Sequence, residues 1–206
     1  MAMRIILITG PIASGKSLFA QRASRWFNAH NRPVKIIELD IYGHEALQNE
    51  SVIRCLVSLF GKEIMHGEKV DKTALASCAF RTPENVEKLN LCTHGFIGER
   101  ASHDIDIFLS ENSQGIVVLE TPFPVSYLKM HGFEKLCEGS FVVAVSAPRE
   151  IRLKRCSRRY ADAEMRDALQ QKYGVYTGDY CINNESNELD FNRYVDTICQ
   201  SIGDQL

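Results

Sequence analysis

The sequence predicts a three-layer α/β fold, a doubly wound parallel sheet of five strands with helices on both faces. Three observations carry this. Apolar runs of strand length alternate with longer segments of helical spacing. The first run leads at once into a glycine-rich loop and then a helix, the start of a strand–loop–helix unit. The residues with the most chemistry in them fall just after the runs end, where ligands bind in sheets of this kind.

Residues 4–9, RIILIT, form an apolar, β-branched first strand. Residues 10–17, GPIASGKS, fit G-x-x-x-x-G-K-[ST], a phosphate-binding loop. Residues 17–27 then place Leu18, Phe19, Ala20, Ala23 and Phe27 at helical spacings. Residues 34–39, VKIIEL, are the second strand, ending at Asp40. Residues 51–112 read as mostly helical, punctuated by Gly61, Gly67 and Pro83. That stretch is too long for a simple crossover and predicts a helical subdomain over the substrate. Residues 115–120 and 140–145 are the third and fourth strands, and 181–184 a short fifth. A basic helix follows Pro148, and FNRYVDTICQSI makes an amphipathic terminal helix. With no repeat or linker, residues 1–206 are expected to be one domain.

Composition narrows the function. A net charge of −2 over 206 residues gives no reason to expect general affinity for nucleic acid or anionic membranes. No apolar run is long enough to span a bilayer. The chain enters its first strand directly, so no secretory leader is expected. Seven cysteines without a C-x-x-C pair predict reduced thiols in a cytoplasmic protein, and no zinc-type spacing is present.

Within the loop, Gly10 and Gly15 allow close approach of the backbone to an anion. The backbone N–H groups from Ala13 to Leu18 are expected around the phosphates, with the helix dipole behind them. Lys16 is expected at the β- and γ-phosphates of ATP and the Ser17 hydroxyl on Mg²⁺. Asp40 faces the place of an incoming hydroxyl, as a general base or an orienting group. The same position suits a helix N-cap, and the two readings stand level. Glu38, two residues earlier, is expected on the same strand face as Asp40. Glu120 closes the third strand, where an acid holds Mg²⁺ through water or is a plain loop carboxylate. In the basic run, Arg155 and Arg159 lie four apart and are expected to close on the triphosphate as a lid. Arg149, Arg152, Lys154 and Arg158 are expected to be solvated surface.

Taken together, these segments resemble the dephospho-CoA kinase family over nearly the whole chain. The loop resembles G-G-I-[AG]-S-G-K-S-T. ELDIYGH resembles D-x-D-x-x-x-H, placing Asp40 on the catalytic aspartate and His44 on the motif histidine. FGKEIMHGEKVDKTAL resembles a segment in which Lys72 stands where arginine is usual, and LNLCTHGFI places His94 on another motif histidine. LETPFP resembles L-D-x-P-L-L, RLKRCSRR the lid entry with Arg155 and Arg159, and GDYCINNES a segment placing Asn184 near the adenine end. The resemblance implies a P-loop kinase fold, with an acceptor-binding insertion over about 51–112 and a lid over about 155–178. It implies phosphorylation of the ribose 3′-hydroxyl of dephospho-CoA by ATP and Mg²⁺. Lys16, Asp40 and Arg159 would be catalytic. Asp40, His44, Lys72 and His94 would meet the acceptor. Gly10, Ala13–Leu18, Arg155 and Asn184 would hold the nucleotide, with Ser17 and Glu120 at the metal. Leu18 replaces a threonine, Glu38 an aspartate and Gly95 a proline, and Ser126 stands where an acid is common. Residues 170–178 form a shortened segment lacking the family's Q…R element. The alternatives are a kinase of the same fold with another acceptor, or a nucleotide-binding regulatory protein without catalysis.

Overall fold

The computed structural model describes residues 4–157, 163–185 and 187–206. Two compact units divide the chain: residues up to Glu38 together with those from Asp104 onward, and Leu39–His103.

In chain order the elements begin with β1 (Ile5–Thr9), α1 (Lys16–Ala29) and β2 (Val34–Glu38) in the first unit. The second unit holds α2 (Leu39–Ala46), α3 (Glu50–Phe60), β3 (Met65–His66), β4 (Lys69–Val70), α4 (Lys72–Ala79) and the larger part of α5 (Pro83–Glu111). The chain then returns to the first unit through β5 (Ile116–Glu120), α6 (Val125–Met130), α7 (Glu134–Cys137) and β6 (Ser140–Ser146). It ends with α8 (Arg149–Cys156), α9 (Ala163–Gln171), β7 (Tyr180–Asn183) and α10 (Glu188–Gly203).

The sheet runs β2-β5-β1-β6-β7, and every pair is parallel. The expected five-stranded, doubly wound sheet is therefore observed. The chain leaves β1 toward the β2 edge and later crosses to β6 and β7. The loop after β1 thus sits at the switch in strand order, the usual ligand position. Strands buried on both faces explain the near-continuous apolar runs. Ile6 and Ile8 face one side with Val118, Val143 and Val145, and Leu7, Val117 and Leu119 alternate to the other, all essentially inaccessible.

The stripe Phe19, Ala20, Ala23 and Phe27 buries α1 against that first face. Phe191, Val195, Cys199 and Ile202 do the same for α10. Each fully buried large apolar side chain contributes about 1.5–3 kcal/mol through area removed from water. Leu18, where a threonine was anticipated, packs partly buried against this cluster, so the missing hydroxyl is replaced by core contact.

The second unit is mainly helical, but it also contains the two-residue strands β3 and β4. They pair Met65 with Val70 and His66 with Lys69, around Gly67 at φ 63°. Such short strands leave no alternation to read in the sequence. The helices are started by side-chain caps: Asn49 accepts from the N–H groups of Ser51 and Val52, and Asp71 from those of Thr73 and Ala74.

One expectation fails here. Cys55 and Cys92 form a disulfide joining α3 to α5, with Cα atoms 5.7 Å apart. They lie 37 residues apart in sequence, so only the packing of the two helices brings them together. Cys78, Cys137, Cys156, Cys181 and Cys199 are free thiols. Burial pushes the Cys199 thiol up to about 12 and the Cys137 thiol up to about 11. Thiolate is the reactive form, so an alkylating reagent at neutral pH should label exposed Cys181 in the folded protein and spare Cys137, Cys156 and Cys199. Cys55 and Cys92 should react only after reduction. Peptide mass spectrometry with and without a phosphine reductant checks this, and rapid labelling of Cys199 in folded protein would contradict the packing.

Candidate active site

The loop between β1 and α1 owes its shape to two glycines. A Cβ on Gly10, at φ 151°, would lie 2.1 Å from the carbonyl oxygen of Val145. One on Gly15, at φ 109°, would lie 2.1 Å from Asn184 Nδ2. No side chain caps α1, and its first turn carries no acid. The usual satisfiers of a helix N-terminus are thus missing where an anion is expected.

The loop carbonyls are held by donors. Lys16, only 8% exposed, donates from Nζ to Gly10 O at 3.0 Å and Pro11 O at 3.2 Å. Arg152 Nη1 donates to Ile12 O at 3.4 Å and Arg155 Nη1 to Ala13 O at 3.5 Å. Asn184 Nδ2 donates to Ser14 O at 2.9 Å. Asn184 itself is buried beyond β7, and its carbonyl accepts from Arg155 Nη2 at 3.3 Å. The structure thus gathers Gly10, Ala13, Ser14, Gly15, Lys16, Ser17, Arg155 and Asn184 at one place. Among the described residues, the buried Ser14 hydroxyl finds no hydrogen-bond partner.

Glu120 closes β5, and its Oε1 accepts from the Ser17 hydroxyl at 3.0 Å. Glu38 is its neighbour across the sheet, in register at the end of β2. A hydroxyl and a carboxylate are hard oxygen donors, the set Mg²⁺ takes while keeping several waters. The residues present therefore fit that ion.

One expectation about the basic run needs correction. Arg152 is not solvated surface: it is 6% exposed and paired with Asp167, which is completely buried on α9. Arg149 does stay on the surface, its side chain 54% exposed, although its Nε donates to Asp167 Oδ2 at 2.8 Å. Burial alone would raise the Asp167 pKa, but hydrogen bonds from Arg152 and Arg149 outweigh it and hold the carboxyl below its ordinary range. Sequence reasoning missed Asp167 and Gln170, whose Oε1 accepts from the Ile12 N–H at 2.5 Å. Arg158 and Arg159 lie outside the described residues.

The residues expected on the acceptor side belong to the second unit. Asp40 lies exposed in the first turn of α2, and His44 four residues on shares its face. Since α2 starts at Leu39, Asp40 is neither its N-cap nor part of a strand. The alternation expected to put Glu38 and Asp40 on one strand face therefore ends at Glu38. Lys72 opens α4, exposed, and His94 is 6% exposed on α5.

Asp167 has a lowered pKa in the fold. Its charged pairing is therefore present above the ordinary aspartate range and is lost as pH falls through the lower folded value. Asp167→Asn should flatten the acid limb of a melting-temperature–pH curve. An unchanged acid limb would mean the pairing contributes no stability.

The chain matches the dephospho-CoA kinase family over residues 4–189. A dephospho-CoA kinase of Fusobacterium nucleatum is 25% identical over 98% of this chain and 100% of its own. One of Moorella thermoacetica is 32% identical over 80% of this chain and 74% of its own. A Thermus thermophilus crystal structure superposes with a TM-score of 0.67 at 24% identity, covering 98% of each chain, which supports the same fold. The loop, the parallel sheet behind it and a match across nearly the whole sequence lead to one conclusion: the chain belongs to the dephospho-CoA kinase family.

Proposed function

We propose that this protein transfers the γ-phosphoryl group of ATP to the ribose 3′-hydroxyl of dephospho-CoA, giving CoA and ADP. The observation that carries the reading is the phosphate loop, its carbonyls turned to side-chain donors beneath the bare N-terminus of α1. Family membership supplies the acceptor. The bond from the β–γ bridging oxygen to the γ-phosphorus breaks as a bond from the acceptor 3′-oxygen forms. The acceptor proton passes to a base.

Phosphoryl transfer leaves a protein mainly positioning and charge stabilisation to do. In this reading Lys16 leaves the carbonyls of Gly10 and Pro11 for the β- and γ-phosphate oxygens. Arg155 and Arg159 pair with the triphosphate as the lid closes. Asp40 takes or orients the hydroxyl proton, and His44, Lys72 and His94 bind the acceptor. Ser17 and Glu120 would hold Mg²⁺, which supplies charge neutralisation between the phosphates when bound. The need for ATP argues for the cytoplasm, and the Cys55–Cys92 disulfide argues against a reducing compartment. No helix among the described residues is long and apolar enough to cross a membrane.

The direct test incubates purified protein with ATP, Mg²⁺ and a panel of hydroxyl acceptors. Turnover with dephospho-CoA is expected. Turnover with another acceptor alone, or ATP binding without transfer, would overturn the reading.

Two substitutions refine it. Lys16→Ala should lower kcat roughly a hundred- to a thousand-fold, the loss seen when one preorganised donor is removed. Circular dichroism should stay unchanged. Asp40→Asn should keep ATP affinity and lower kcat by roughly a hundred-fold or more, as for a lost general base. An acid in a first helical turn is worth about 0.3–1 kcal/mol to the helix. A purely structural Asp40 would therefore show up as a small drop in melting temperature at an unchanged rate.

A further inference from the structure

Asp167 is a fully buried carboxylate outside the loop, served by Arg152, by Arg149 Nε at 2.8 Å and by Gln171 Nε2 at 3.0 Å. Buried ion pairs are weak devices for stability, because an apolar pair of similar volume often does as well. The place to which this one leads is more informative. Arg152, fixed by Asp167 and by its Nε donation to Ala147 O at 3.0 Å, directs Nη1 to Ile12 O at 3.4 Å. Gln170, three residues beyond Asp167 on α9, accepts from the Ile12 N–H at 2.5 Å. Both polar groups of one loop residue are therefore taken by side chains, one from α8 and one from α9, and Asp167 ties those helices together.

Strain is stored at the next residue. Ala13 sits at φ 57°, in the left-handed region that a non-glycine residue adopts only when its surroundings enforce it. The two grips on Ile12 adjoin this residue, whose own carbonyl accepts from Arg155 Nη1 at 3.5 Å.

We propose that Asp167, Arg152 and Gln170 are positioning residues that clamp Ile12 and so preset the phosphate loop for ATP. Asp167 orients Arg152 and locks α9 to α8, Gln170 takes the N–H, and Arg152 takes the carbonyl. ATP binds the clamped loop, and its apparent affinity falls in proportion to the clamped fraction. This rests on the nucleotide-binding part of the function proposed above, not on the acceptor.

The test measures ATP binding directly by calorimetry, with KM for ATP and for the acceptor determined alongside. Gln170 is half-buried on the helix surface, so Gln170→Leu should fold normally and weaken ATP about tenfold, as expected if the competent fraction falls to about a tenth. The double variant Arg152→Met/Asp167→Leu replaces the ion pair by an apolar pair, keeping the fold while removing the donor to Ile12 O. It should weaken ATP by a similar factor. Combining all three changes should cost less than the product of the two losses, because both grips act on one peptide. KM for the acceptor should not move. Wild-type ATP affinity in Gln170→Leu, or losses that multiply, would overturn the clamp, as would equal weakening of ATP and acceptor. If the double variant does not fold, Gln170→Leu alone decides. Failure of wild-type protein to bind ATP would instead overturn the functional reading.

Discussion

A peptide loop can embrace an anion only if its carbonyl oxygens are kept from facing the same point as its N–H groups. That constraint organises the region around residues 10–17. Lys16, Arg152, Arg155 and Asn184 come from α1, α8 and the end of β7, and each donates to a loop carbonyl. Gly15 must lack a Cβ because Asn184 occupies that space, and Gly10 because Val145 does. The parallel sheet makes the arrangement possible. Its carboxyl-terminal strand ends lie together, so β1, β5, β6 and β7 all deliver residues to one rim.

The same rim carries an electrostatic division. Cationic and amide donors approach the loop from the β6–β7 side. On the β2–β5 side, Glu120 and Glu38 stand in register, with the Ser17 hydroxyl bonded to the former. In the proposed reaction an anionic ligand and a hard cation would be served by opposite flanks. The whole gradient is set by which strands neighbour β1.

Much of this was legible in the sequence because it is local. The glycine loop, the apolar strand runs and the stripe Phe19–Ala23–Phe27 each declare themselves within one period of their element. What was not legible depends on distant partners. Arg152 looked like one of several surface cations because nothing within a helical turn neutralises it. Its partner Asp167 lies 15 residues away on another helix. Cys55 and Cys92 are likewise joined by helix packing alone. The strands β3 and β4 are too short to show alternation, and α2 begins one residue before Asp40 where a strand end was expected.

The disulfide has a topological consequence for the second unit. It closes a covalent ring through α3, the β3–β4 hairpin, α4 and the first turns of α5. A cross-link of that span lowers the entropy of the unfolded chain, by an amount on the order of a few kcal/mol at room temperature. Asp71, which starts α4, and Lys72 lie inside the ring, while Asp40 and His44 lie outside it. Reduction would therefore loosen the two parts of the unit unequally, since only the encircled segment regains the freedom that the bond removes.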